Sequence, residues 1–293
     1  MTSSLEIRLL GVPQISINGS RVDGLRRKNR ALVDYLSAHE RQPLREKLLS
    51  FFWPDKKRSS AQVTLRTMIH ALHSSLGDAF QADNRSVALS SDASIDLQFF
   101  ITGLDQNASN LQKMIEVLAV YRGDFLEGFT LPDSPQFDDW ATSERERYQL
   151  AAMDGFAALA RLHEGQGNYE NALESMRRAL EFNPFREDLQ REVMRLLYIN
   201  GDRAGVMQQY ESLRKLLDEV MGIPPMPETR TLYDAIINET FILPSNQSTS
   251  HIPAAARPAA KPLLPFLGRD AELETLGVSY WMLTEEIWIR GML

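Results

Sequence analysis

The chain of 293 residues contains no cysteine. That excludes disulfides, thiolate zinc sites and cysteine nucleophiles together, and it fits a reducing compartment. No apolar stretch reaches the ~18 residues that a membrane span needs. The opening, MTSSLEIRLLGVPQ, lacks the charged start and long apolar run of a secretory signal. A cytoplasmic location without a membrane partner is therefore expected. There is no GxxxxGK[ST] phosphate loop, so the backbone cradle and lysine that hold nucleotide phosphates are missing, and no ATP or GTP hydrolysis is expected. One more absence is local. No carboxylate stands between Lys56 and Gly77.

What is present supports a folded chain of about two domains. Hydrophobic residues make up 43% and charged residues 24%, enough apolar material for ordinary cores. The net charge of -7 conceals an asymmetry. Residues 1–100 hold 14 Lys/Arg against 10 Asp/Glu, and the remainder holds 18 against 29. A basic first part beside an acidic second part points to one region that meets a polyanion and one that does not.

The carboxylate-free stretch lies within SSAQVTLRTMIHALHSSLGD, Ser59 to Asp78, which reads as one amphipathic helix. Leu65, Ile69, Leu72 and Leu76 form its apolar stripe. Val63, Thr67, His70 and Ser74 fall opposite, with Gln62, Arg66 and His73 on the flank. A helix packed on one side and free of negative charge on the other suits a DNA major groove. An ordinary surface helix is the competing reading.

The neighbouring segments place that helix. Residues 5–17 alternate as strands and lead to the tight-turn pair Asn18–Gly19. A helix bearing Ala31, Leu32, Val33 and Leu36 follows the basic cluster Arg26, Arg27, Lys28 and Arg30. A second runs Arg45–Trp53 and stops at Pro54. The basic connector Asp55–Arg58 precedes the amphipathic helix, and two short strands near Ala79–Ala82 and Ser86–Ser90 flank a turn at Asp83–Arg85. Strands, three helices and a hairpin make the plan of a winged helix-turn-helix, with the third helix reading the groove and the hairpin as the wing.

Beyond about residue 96 the pattern is all helix, over Leu97–Gly103, Asn110–Tyr121, Phe137–Glu164, Tyr169–Phe182, Arg186–Asn200, Arg203–Met221 and Glu228–Thr240. Gly167–Asn168 and Gly201–Asp202 recur 34 residues apart, and Leu162 matches Leu196, Ala172 matches Val206 and Met176 matches Tyr210 at that offset. This is the period of the tetratricopeptide helix pair. The expected fold is thus mainly α: an N-terminal winged helix-turn-helix of α+β type over 1–96, then an all-α tetratricopeptide-like domain over 97–243. A Pro/Ala/Ser-rich linker is expected over 244–265, and the start of a further unit over 266–293.

With these elements in order, the chain resembles the Streptomyces antibiotic regulatory protein family. Its members join an OmpR-type winged helix to a bacterial transcriptional activation domain. The carrying segments are LEIRLLGVPQISING, RRKNRALVDYLSAH, LLSFFWPD and LRTMIHALHSSLGD, then YRGDFLEGFTLPDSPQFDDWATSERER and the helical run from RLHEGQGNYENALESMRRAL through LRKLLDE. Met221-Gly222-Ile223-Pro224-Pro225 and PETRTLYDAI close the match, which covers about four fifths of the chain. PFLGRDAEL is similar to the opening of the nucleotide-binding domain of larger members, so 266–293 reads as a truncated start of that domain. The third helix departs from the family in carrying Arg66 where several more arginines are usual.

The resemblance implies a transcriptional activator that docks on promoter repeats and contacts RNA polymerase, with a homodimer among its assemblies. For base reading, Arg66 can pair with guanine, Gln62 with adenine, and Thr67 can touch a thymine methyl, with His70 and Ser74 on the same face. Lys56, Lys57, Arg58 and the wing-tip Arg85 are the expected phosphate anchors. The connector Asp55–Ser60 is also where such folds can touch polymerase. For each of these positions a solvated helix or loop site is the alternative. Arg26, Arg27 and Lys28 form another candidate patch. Trp53 and Trp140 are expected in cores. Asp138, Asp139, Glu144 and Glu146 have no nucleophile or histidine beside them and read as a solvated helix face. His70 and His73 lack a nearby carboxylate to complete a metal site. No catalytic residue, cofactor or metal is expected. The rival function is a protein–protein interaction module with weak or no DNA binding.

Overall fold

A computed structural model describes residues 4–39 and 42–241. The expected linker over 244–265 and the expected start of a nucleotide-binding domain over 266–293 lie outside the described residues. Residues 1–241 form one compact unit, mainly helical with a small β region at the N-terminus.

β1 (Leu5–Arg8) and β2 (Gln14–Ile17) run antiparallel, with Leu5 opposite Ile17 and Arg8 opposite Gln14. Alternation puts Leu5, Ile7 and Ile15 in the core. Asn18 and Gly19 both take positive φ, 50° and 79°, the twist a two-residue turn needs. The chain returns as β3 (Ser20–Arg21). α1 (Arg27–Ser37), α2 (Arg45–Phe52) and α3 (Arg58–Leu76) follow. A short 3-10 turn then leads to the hairpin of β4 (Phe80–Ala82) and β5 (Val87–Leu89). β6 (Ser94–Ile95) lies parallel to β1, so the sheet order is β3-β2-β1-β6. This strand was not foreseen. Two residues are too few to show a period, and its partner stands at the other end of the first hundred residues.

The helical part comprises α4 (Asp96–Gln106), α5 (Leu111–Ala119), α6 (Pro135–Gly165), α7 (Tyr169–Phe182), α8 (Glu187–Ile199), α9 (Arg203–Met221) and α10 (Pro227–Ile237). Each expected helix is present, α7 and α9 with the expected bounds and the others with ends moved by a few residues. The repeat is geometric as well as sequential. Gly167 and Gly201 take φ of 74° and 77° in the turns α6–α7 and α8–α9. In each turn the same hydrogen bond closes the helix end, Asn168 N–H to the His163 carbonyl and Asp202 N–H to the Leu197 carbonyl, both 2.9 Å. Ala172 and Val206, the matched positions beyond the turns, are both fully buried. α10 is held by α8: the buried Glu187 carboxylate accepts from Met226 N–H at 2.9 Å and from Thr229 Oγ1 at 2.6 Å.

The winged helix and the helical part share a core. The segment after α5 folds back onto the end of β1. Leu10 bridges Phe125, Leu126 N–H donates to the Leu9 carbonyl at 2.9 Å, and Gly11 N–H donates to Asp124 at 3.0 Å. Gly11 adopts φ of 100°, and a β-carbon there would already touch Arg122 at 3.4 Å. The Asp96 carboxylate accepts from Leu9 and Leu10 N–H and pairs with Arg122 at 2.8 Å. Burial nonetheless lifts this carboxyl above its ordinary value, against the pull of those donors. Aromatic rings fill the seam. Tyr35 of α1 meets Trp140 of α6 at 4.9 Å between centroids, and Phe52 of α2 meets Phe137 of α6 at 6.0 Å. Trp140 therefore packs in a core as expected, but one that the two parts build together. Trp53 is buried beside Phe52, with the Lys28 ammonium over its ring.

Candidate nucleic-acid interface

Pro54 ends α2, and α3 begins at the basic connector. No side chain caps the N-terminus of α3. Its first backbone N–H groups and the positive end of the helix dipole therefore join Lys56, Lys57 and Arg58, all exposed. Gly77, with φ of 57°, stops the helix and leads into the hairpin.

The two faces of α3 separate as its periodicity predicts. Ala61, Leu65, Met68, Ile69, Leu72 and Leu76 are buried. Val63, Thr67, His70 and Ser74 make a continuous exposed stripe, Arg66 is exposed on its flank, and Gln62 is half-buried. The hydroxyls of this face are turned back onto the helix. Thr67 Oγ1 donates to the Val63 carbonyl and Ser74 Oγ to the His70 carbonyl, both at 3.1 Å. His73 has a packing role, since its ring meets the buried Phe80 of β4 edge-on at 5.2 Å.

The hairpin is anchored to α2 as well as to α3. Leu44 bridges Ser86, and Arg45 N–H donates to the Arg85 carbonyl at 2.8 Å. At the tip, Asp83 accepts from the N–H groups of Ser86 and Arg85, both at 2.6 Å. Those two bonds hold its carboxyl below the ordinary value. The turn sets Arg85 at an exposed tip.

Each residue singled out from the sequence can now be placed. Lys56, Lys57, Arg66, Thr67, His70, Ser74 and Arg85 are open to solvent. Arg58 is exposed but faces Glu46 of α2 at 2.8 Å, an exposed pair worth ~0–1 kcal/mol that another anion can replace. The patch Arg26–Lys28 is partly absorbed by the seam. Lys28 pairs with Asp133 at 2.8 Å, and the Arg27 guanidinium stands 5.8 Å from the Phe129 ring centre. Arg45 and Glu46 carry no sequence signal of a site, because their relation to the wing and to the connector depends on how α2 packs. Among the described residues, no group of three or more His, Cys, Asp or Glu could hold a metal ion. No described helix is long and apolar enough to cross a membrane.

The described residues thus join a winged helix to stacked helix pairs through a shared core. Residues 104–237 match the family described as Bacterial transcriptional activator domain. The chain is 22% identical over 254 residues to Transcriptional regulatory protein MoaR1 of Mycobacterium bovis, covering 80% of each. It is 26% identical over 271 residues to Regulatory protein AfsR of Streptomyces griseus, covering 85% of this chain and 26% of that longer protein. A solved structure of Mycobacterium tuberculosis EmbR in complex with a low affinity phosphopeptide shares the fold. Its TM-score is 0.63 at 21% identity, over 81% of this chain and 66% of that one. The chain is thus similar, over most of its length, to proteins named as transcriptional or regulatory proteins, and its residues 104–237 match the bacterial transcriptional activator domain.

Proposed function

We propose that the chain activates transcription by binding double-stranded promoter DNA through α3 and its wing while contacting RNA polymerase. The observation that carries this reading is the exposed stripe of α3. It faces away from the core, contains no carboxylate, and lies between a basic connector and an anchored hairpin. Arg66 and Gln62 are the hydrogen-bonding readers of base edges, with Thr67, His70 and Ser74 lining the same face. Lys56, Lys57, Arg58 and Arg85 hold phosphates and set the register. The helical repeats carry self-association and the polymerase contact, to which the connector Asp55–Ser60 adds. Protomers side by side on promoter repeats, in the cytoplasm, complete the proposal.

A gel-shift with the protein's own upstream region, repeated across a salt series, tests it. Arg66→Ala combined with Thr67→Ala should weaken binding by roughly 10- to 100-fold, about 1–3 kcal/mol. Unchanged binding in that variant removes α3 from the role. The single arginine on the outer half of α3, and the engagement of Arg58 by Glu46, favour one rival: a module that binds a protein partner through its helical repeats. Absence of DNA retention even at low salt would select that rival.

A further inference from the structure

We infer that α3 also reads the methyl groups of thymine, through Val63 together with Thr67. This rests on the DNA-binding reading above and specifies what that site recognises.

Val63 is 60% exposed, on the stripe that continues through Thr67, His70 and Ser74. An exposed valine alone is ordinary on a protein surface. Its position is not. Val63 stands one helical turn before Thr67, with Arg66 between them, in the second turn of α3 after the basic connector. A β-branched residue is also a poor helix former at a solvent-exposed site, so local helix stability does not account for it.

The hydroxyl geometry strengthens the argument. Thr67 Oγ1 donates its proton to the Val63 carbonyl at 3.1 Å. On the adjoining flank, Thr64 Oγ1 donates to the Ser60 carbonyl at 2.9 Å. The hydroxyls of this half of the face are thus engaged by the helix itself. What remains on the outer surface of Val63 and Thr67 is carbon. Residues four apart on a helix lie about 5–6 Å from each other, a separation that reaches neighbouring base pairs. In the major groove thymine alone presents a methyl group, at C5. Arg66, between the two, supplies the hydrogen bonds that methyl contact cannot.

The test uses the full chain and duplexes enriched by it from a random pool. The enriched duplex is resynthesised with deoxyuridine in place of thymidine, one position at a time, which removes the methyl and keeps base pairing. Each buried methyl is worth about fourfold in affinity, so one or two positions should lose about three- to tenfold with the wild-type chain. Val63→Ala should bind the thymine duplex more weakly and show no further loss at the uracil position that Val63 reads. Thr67→Ser, which keeps the hydroxyl and drops the methyl, should abolish the loss at the adjacent position. Alanine is the best helix former, so folding is not at stake in the first variant. Uracil substitution without effect anywhere, or with equal effect in wild type and in Val63→Ala, overturns the inference while leaving DNA binding intact. A pool that yields no enriched sequence overturns DNA reading by α3, and this inference with it.

Discussion

The outer face of α3 and the seam behind it differ in nearly every material respect. The α3 face is open, has Arg66 as its arginine, and turns its hydroxyls back onto the helix. The seam is built from large rings, with Phe125 and Phe137 fully buried and Trp140 between Tyr35 and Phe137. Its ion pair Lys28–Asp133 joins one part to the other, and Asp96, paired with Arg122, accepts from the backbone N–H groups of Leu9 and Leu10. The difference separates two tasks. On the proposed DNA-binding reading, a thinly charged surface relies on being presented in one orientation, and the seam makes the winged helix and the first helices of the helical part share apolar area. On that reading, rigid presentation lowers the ordering cost of binding and offsets few phosphate contacts.

The comparison can be broken most readily at the seam. Phe137→Ala should cost ~3–5 kcal/mol in urea unfolding, followed by the fluorescence of Trp53 and Trp140, and the transition should stay single. A cost below about 1 kcal/mol, or two separate transitions in the wild type, would mean the parts fold independently.

A smaller effect is expected within the activator helices. A β-carbon on Gly103 of α4 would lie 2.3 Å from Val117 of α5, so Gly103→Ala should cost ~1–3 kcal/mol. DNA affinity measured on the folded variant should be unaffected. A matching loss of affinity would show that α4–α5 packing reaches α3.

The third effect depends on pH. Asp34 of α1 is fully buried beside Arg30, with Arg30 Nε 3.2 Å from its carboxylate. Burial outweighs the arginine and pushes its carboxyl up to about 7. A carboxyl raised in the native state holds its proton more firmly there than in the unfolded chain. Its contribution to stability is therefore present below about pH 4 and lost as pH climbs to about 7. His163, held below its ordinary value by burial, acts in the opposite sense, losing stability as pH falls through about 6.5. Asp34→Asn should remove the first slope and leave the second. Thermal midpoints from pH 4 to 8 would show it, and identical slopes in both proteins would contradict it.

The smallest effects belong to the connector. Lys57→Ala should lower the slope of log affinity against log salt by about 1. Arg58→Ala should lower it by less, because Glu46 competes for that guanidinium. Equal slopes for the two variants would show that the Arg58–Glu46 pair opens fully on DNA.

Much of this architecture is legible in the residue order, for local reasons. The apolar stripe of α3 follows from helical period, and the Asn18–Gly19 turn from the ease with which both residues take positive φ. The 34-residue offset proved geometric because a glycine turn closed by the same backbone bond recurs at it. β6 and the seam were not legible. Asp96 reads as the first residue of a helix, and nothing nearby shows that its carboxylate also ties down Leu9 and Leu10. The segment YRGDFLEGF carried family resemblance without a visible task. Its task is to lay Phe125 and Leu126 along the end of β1.

Period, turn chemistry and the distribution of charge by themselves determined the kind of protein this is: a winged helix whose third helix bears no carboxylate, followed by paired helices. These properties depend on residues within a few positions of one another, where backbone geometry alone relates them. The tertiary structure alone decided that Arg58 meets Glu46, that Lys28 is bound into the seam and that Trp140 lies between two parts. Each of these depends on segments far apart in the chain, brought together by the burial of apolar area, which has no direction along the sequence.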